Sequence, residues 1–158
     1  IIDLTDRLDS ALKSYVQGTL FVTLILFTVQ SIGFSLAGLK APIVFGLICA
    51  ITNIIPYIGP YIGGIPAVAV GFTISPLVGF LSLAAVVISQ FLESYVLTPI
   101  VMSKTMKLHP VTIIIGLLIF GHFFGIIGML LSTPVISCIK IIFNFFDEKY
   151  EIFEKIQK

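Results

Sequence analysis

Between Ser14 and Ile139 the chain carries only four charged residues, Lys40, Glu93, Lys104 and Lys107. A soluble domain holds roughly 25% charged residues, so this stretch cannot be a water-facing globule and must meet lipid. The other charges crowd the ends. Three acids and two bases fall within residues 1–13, and four acids and four bases within 140–158. Strands that cross a bilayer alternate apolar and polar residues over about 10 positions, and nothing here alternates. The apolar residues, 58% of the chain, come in long unbroken runs. Such runs form helices, because a helix satisfies its own backbone inside lipid. The expected fold class is all-α, a polytopic helical membrane protein.

Several function classes drop out. Nine basic and eight acidic residues nearly cancel, leaving no charge excess for nucleic acid. Cys49 and Cys138 lie inside apolar runs and read as small hydrophobes, not as a disulfide or metal ligands. No GxSxG, HExxH, phosphate-binding Gly loop or pair of membrane aspartates is present, so no enzyme, metal or cofactor is expected. The chain starts at Ile1, and its first apolar run is too long for a signal peptide. It reads as a piece of a longer protein.

Residues 1–14 place Leu4, Leu8, Ala11, Leu12 and Tyr15 on one helical face, the pattern of an amphipathic interfacial lead-in. A transmembrane domain is expected over 15–146, followed by a charged cytoplasmic tail over 147–158. Its first span, 15–38, is about 36 Å long at 1.5 Å per residue, enough for a hydrocarbon core of about 30 Å. Thr19, Thr23, Thr28, Gln30 and Ser31 give it one face suited to packing on protein. A second clean span covers 77–99.

The stretches 43–72 and 111–146 differ. The first holds Asn53, Pro56, Gly59, Pro60, Gly63, Gly64 and Pro66 in quick succession, and the second holds Gly121, Gly125, Gly128 and Pro134. Such runs predict backbone that is broken in the middle or folds back as a re-entrant hairpin. Non-helical backbone at membrane depth survives only when buried in protein or lining a watery cavity. The order of clean helix, broken segment, clean helix, broken segment suggests two similar halves. Paired Gly/Pro interruptions of this kind point to a transporter's binding site. If each stretch crosses once, six bases share the side of the two ends and Lys40, Lys104 and Lys107 face the other. The positive-inside rule then places both ends in the cytoplasm.

Glu93 is the only acid between Asp9 and Asp147. It lies about 7.5 Å from the middle of its helix, where a charge costs on the order of 2.5–3.5 kcal/mol unless hydrated, paired or protonated. Gln90, Ser94 and Leu97 flank it on one stripe. Glu93 reads either as a proton- or cation-coupling carboxylate or as an anchor for an unwound backbone end nearby. Asn53 reads as a cap or as part of a polar path. The Gly and Pro residues serve to expose carbonyls and half-helix ends, although GxxxG spacing also serves tight helix packing. His122 lacks a second ligand at helical spacing, and His109 lies in the loop that carries Lys104 and Lys107. Two functions stand: a secondary transporter, or a non-transporting oligomeric scaffold.

The block Asn53-Ile-Ile-Pro56-Tyr57-Ile-Gly59-Pro60, with Gly63 and Pro66 following, resembles the signature of the autoinducer-2 exporter family of permeases. Glu93-Ser-Tyr-Val-Leu-Thr-Pro99 with Leu108-His109-Pro110 is similar to a second family block, and Phe124-Gly125-Ile-Ile-Gly128 through Pro134 to a third. Tyr15-Val-Gln-Gly18 matches the family's lead-in to a span. The resemblance implies a multi-spanning bacterial inner-membrane protein, of which this chain is the C-terminal half. It also implies homo-oligomers, with pentamers expected. The solute it implies is a small polar molecule such as the quorum-sensing signal autoinducer-2, and some relatives are associated with sodium/proton exchange. Glu93, Pro99, Asn53 and Pro56 fall on the family's corresponding residues. His122 does not, and no family role is carried onto it.

Overall fold

The computed structural model describes residues 2–55, 58–101 and 108–150, all of whose regular elements are helical. The chain forms two compact units. One is Gly18–Val101; the other combines Ile1–Gln17 with Met102–Lys158.

Within Gly18–Val101, α1 (Ile2–Ala37) supplies its C-terminal part. The lead-in and first span are a single 36-residue helix, since no proline interrupts it. It stops where Gly38 adopts φ 81°, a left-handed C-terminal turn that favours glycine. Pro42 then opens α2 (Pro42–Thr52), at the position where its missing N–H costs nothing. After a short break, α3 (Gly59–Ile74) returns. Ser75 caps α4 (Pro76–Leu92) by accepting a hydrogen bond from the Val78 N–H at 3.2 Å.

Close approaches between glycines and neighbouring helices fix the directions. A Cβ on Gly63 would lie 2.5 Å from the Cys49 Cα, and one on Gly59 would collide with the Thr52 carbonyl. The α2 and α3 helices are therefore the two arms of a hairpin. Gly71 faces the Gly79 Cα and Ser82, making α3 and α4 antiparallel; Gly33 against Ala85 and Gly38 against Val78 do the same for α1 and α4. Phe34, Leu39, Cys49 and Ala67 form the core between these helices, with Phe45, Val70, Val78, Ala85 and Val86 packed around it.

The second unit is built on α6 (Pro110–Tyr150), which is not a straight rod. In a straight helix Gly116 and Ile136 would be about 30 Å apart, yet a Cβ on Gly116 would collide with the Ile136 side chain. The reversal is at Gly125, with φ 61° and ψ −142°, and the arms are residues 110–124 and 126–150. Arg7, on the N-terminal part of α1, sits 5.8 Å from the centroid of the Phe145 ring.

The interior mixes apolar and small polar side chains, and the outside is apolar. Ser82, Ser89, Ser132 and Ser137 are at most 1% exposed, while Leu36 and Ile100 are 82% and 73% exposed. Lipid is as apolar as leucine, so association inside a bilayer relies on small residues and hydrogen bonds instead of oily cores. Leu4–Ala37, Pro76–Ile100 and Val111–Asp147 are long and apolar enough to span, the last folded at Gly125; α2 and α3 are shorter apolar helices. The molecule is thus an all-α polytopic membrane protein.

Both Gly/Pro-rich stretches are interrupted, as expected, one between α2 and α3 and the other at Gly125. The broken backbone is narrower than the Gly/Pro run suggests: Gly59, Pro60, Gly63, Gly64 and Pro66 all lie within helical α3, and Gly121, Gly128 and Pro134 within the arms of α6. Pro60 occupies the first turn, where proline is tolerated. Pro66 and Pro134 each remove only one helical hydrogen bond, a loss that membrane helices accommodate. Pro56 and Tyr57 lie outside the described residues, as do Lys104, Lys107 and the tail 151–158. Among the remaining candidates only Gly125 has non-helical dihedrals inside an element. Ala at that position meets open space but must adopt a backbone conformation that costs about 1–3 kcal/mol. Gly125→Ala is expected to lower the thermal midpoint of the purified full-length protein without removing its helical signal, as circular dichroism would report.

Candidate functional site

The helix that carries Glu93 changes pitch at that residue. From Glu93 to Leu97 it widens into a π-helical turn, in which the Thr98 N–H bonds to the Glu93 carbonyl five residues back; α5 (Thr98–Val101) then continues it. Pro99 contributes, because it has no N–H to offer the Tyr95 carbonyl. Single π-turns inside α-helices are frequent at functional sites. This one sets the Glu93 side chain at the start of a loosened turn.

Asn53 is the C-cap residue of α2, its N–H bonded to the Cys49 carbonyl at 3.0 Å. Its side chain does something else. Asn53 Nδ2 donates to Glu93 Oε1 at 2.6 Å across 40 residues of sequence. From its own helix, Gln90 Nε2 donates to Glu93 Oε2 at 3.3 Å and lies 3.5 Å from the Ser94 hydroxyl. Both carboxylate oxygens thus face N–H donors, the arrangement that suits a negative charge withdrawn from water. The pair also fastens the tip of the α2–α3 hairpin to the π-turn of the long helix. Lys40 is the only other charged residue in Gly18–Val101. It follows Gly38, which packs at Val78, fifteen residues or about 22 Å along α4 from Glu93. Within this unit no cation reaches the carboxylate.

The structure therefore brings together Asn53, Gln90 and Glu93, and holds Gly59 and Gly63 against α2 beside them. It adds residues that the sequence reading passed over. Ser82, Ser89 and Glu93 follow one another at spacings of seven and four along α4, so they share a face, and both serines are buried. That spacing was the available signal. Gln30 on α1 is 6% exposed, and its Oε1, like the Ser31 and Ser82 hydroxyls, has no hydrogen-bond partner among the described residues. Leu97, read as part of the stripe, is buried, whereas Ser94 is exposed. In the second unit Ser132 and Ser137 donate to the Met129 and Thr133 carbonyls at 2.7 and 2.9 Å, beside buried Pro134. His122 is exposed, its ring set edge-on to Phe123. His109 accepts at Nδ1 from the Val111 N–H at 3.3 Å, at the start of α6. No cluster of three potential metal ligands occurs among the described residues.

Comparison with known proteins adds a lineage. Residues 1–148 match the profile of the family described as AI-2E family transporter. The chain is 43% identical over 136 residues to the Bacillus subtilis protein named "Putative transport protein YueF", covering 86% of this chain and 37% of that protein. It is 40% identical over 133 residues to the same organism's "Putative transport protein YrrI", covering 84% and 38%. A Thermotoga maritima "Putative transport protein" is 31% identical over 131 residues, covering 81% and 40%. The chain spans well under half the length of these relatives. No solved structure matches it at comparable significance.

Proposed function

The chain belongs to the AI-2E transporter family, and from that premise we propose that it forms the coupling part of a permease that moves a small polar solute across the bacterial inner membrane. The solute class is that of autoinducer-2, and the driving ion, H+ or Na+, acts at Glu93. The observation that carries this reading is the bond from Asn53 to Glu93. A lone acid in an apolar helix is expensive, and here it is held by two amides with no cation of its unit in reach. A proton or a sodium ion neutralises it. Protonation turns the carboxylate into a neutral acid with a weaker acceptor, so the bond from Asn53 loses its charge assistance and the hairpin tip is held less tightly on α4. Occupancy of the carboxylate and position of the hairpin are then coupled, as alternating access requires.

The test uses the full-length protein in proteoliposomes under an imposed proton or sodium gradient, following autoinducer-2 and internal pH together. Solute flux that tracks the gradient is the expected result. Absence of both solute and ion flux would return the chain to the scaffold reading. Assembly as a homo-oligomer, with five subunits as the working number, belongs to the same proposal.

The antiparallel packing of α1 and α4 bears on orientation. It sets Gly18 and Val101 at one end of their unit and Lys40 at the other. In sequence, Arg7 and Lys13 precede the first end and Lys104 and Lys107 follow it. This grouping of four bases against one differs from the six against three read from single crossings, and it favours the same side for the cytoplasm. A Lys40→Cys variant, in a background with Cys49 and Cys138 replaced, is expected to react with a membrane-impermeant maleimide added outside intact cells. Labelling only after the membrane is opened would reverse the orientation.

A further inference from the structure

Between α3 and α4 runs an apolar groove of about 650 Å³, walled by Tyr61, Gly64, Ala69, Phe72, Leu83 and Gln90 among others. Its length along α4, from Leu83 to Gln90, is about 10 Å, the reach of a medium-length alkyl chain. The two ends differ. Toward the Ser75 turn lie Phe72 and Leu83, both apolar. Toward the hairpin tip lie Tyr61, 66% exposed, and Gln90, whose amide also donates to the Glu93 carboxylate. Gln90 is thus a wall of the groove and a member of the Glu93 site at once.

We propose that this groove seats the tail of a cationic amphiphile, a medium-chain alkylammonium compound that enters sideways from the bilayer with its ammonium head paired to Glu93. The inference rests on the transporter reading of Glu93 and goes beyond it, adding to the small polar solute a second, amphiphilic ligand class that competes with the driving ion for the same carboxylate. Charge complementarity selects the head. A carboxylate has about four acceptor positions, and Asn53 and Gln90 use two of them, leaving room for N–H donors. An ammonium supplies three donors and the missing positive charge. A carboxylate or phosphate head would meet Glu93 as a like charge in a medium that screens poorly. Shape selects the tail. Gly64 and Ala69 leave the groove open between the larger side chains. A lipid lying with its headgroup at the interface would bring the polar end to Phe72 and Leu83, the wrong end of the groove.

The probes are decylamine, decanoate and decanol, added to the full-length protein in nanodiscs and read by thermal unfolding. Decylamine is expected to raise the midpoint with an apparent affinity about tenfold or more above that of decanoate, the difference one charge-assisted hydrogen bond makes. Glu93→Gln should remove the preference for the amine. Ala69→Trp, which fills the groove at an exposed position, should weaken decylamine while leaving the unliganded midpoint in place. Equal binding of the three probes, or full decylamine binding in Ala69→Trp, overturns the proposal. So does protection of Ala69→Cys from a lipid-soluble maleimide in a Cys49- and Cys138-free background, since another helix or a second copy would then cover the groove. Gradient-driven flux that persists without amine selectivity sinks this inference alone. Amine binding without any gradient-driven flux sinks the coupled-transport reading instead.

Discussion

Glu93→Gln is expected to abolish gradient-driven solute flux in proteoliposomes while the protein folds, assembles and melts at or above the wild-type temperature. The two halves of that result have separate causes. Gln keeps the shape of Glu and offers one oxygen and one NH2, so Asn53 can still donate to the oxygen. Gln90 need only turn its own amide to present Oε1 to the new NH2, which leaves no buried donor unmatched. Removing a carboxylate from membrane depth also removes a cost of about 2.5–3.5 kcal/mol, so stability is kept or increased. What is lost, on the coupled-transport proposal, is the group that would bind and release a cation. Gln has no charged state and cannot alternate between fastening and freeing the hairpin tip. A mutant with normal flux would remove Glu93 from the ion path. A mutant that fails to assemble would make the carboxylate a structural anchor. Asn53→Ala provides the companion measurement. It deletes a charge-assisted bond worth about 1.5–3 kcal/mol but leaves the titrating group, so coupled flux should fall by about tenfold to a hundredfold and not vanish.

Particular residues show why parts of this arrangement were legible in the sequence and others were not. The spans 15–38 and 77–99 are visible because lipid demands long runs without charge, a rule that depends on no tertiary context. Glu93 stands out for the same reason. Its bond to Asn53 could not be read, because the two residues are 40 positions apart on helices whose register only the packing sets. The π-turn at Glu93–Leu97 likewise leaves no period in the sequence, although Pro99 two residues beyond it is a cue. That both Gly/Pro-rich stretches are broken was legible, but not which of their Gly and Pro residues stay helical. In α3, Gly63 and Gly64 are selected for closeness to neighbouring helices, against Cys49 and Val86, and the chain stays helical through them. Only in the second hairpin does the reversal fall on a glycine, Gly125, whose positive φ makes glycine the suited residue. Both hairpins nevertheless close in one way. A glycine of the returning arm, Gly59 or Gly128, rests against a backbone carbonyl of the outgoing arm, Thr52 or Phe120.

Gly63, one turn further along the returning arm, is packed on backbone in the same way, and Gly63→Leu is expected to cost much of the stability of the α2–α3 hairpin. A Cβ at Gly63 would lie 2.5 Å from the Cys49 Cα and 2.6 Å from the Thr52 hydroxyl oxygen. The nearest obstacle is backbone, so no side-chain rotation relieves the clash and the arms must separate. Overpacking of a well-filled interior costs about 1–3 kcal/mol where side chains can yield; with backbone in the way, the loss should reach about 3 kcal/mol or more. The damage extends to function, because Asn53 lies one turn beyond Cys49 on the arm that is pushed away. Its 2.6 Å bond to Glu93 does not tolerate a displacement of an ångström or so. Gly63→Ala should show the same two losses in smaller measure, and Ala69→Leu, on the exposed side of α3, should leave the melting temperature within about a degree or two of wild type. Thermal unfolding and coupled flux, measured on the same preparations, should therefore fall together in the order Ala, then Leu, at position 63. If Gly63→Leu melts and transports like the wild type, the tight α2–α3 hairpin is not the arrangement that holds Asn53 on Glu93.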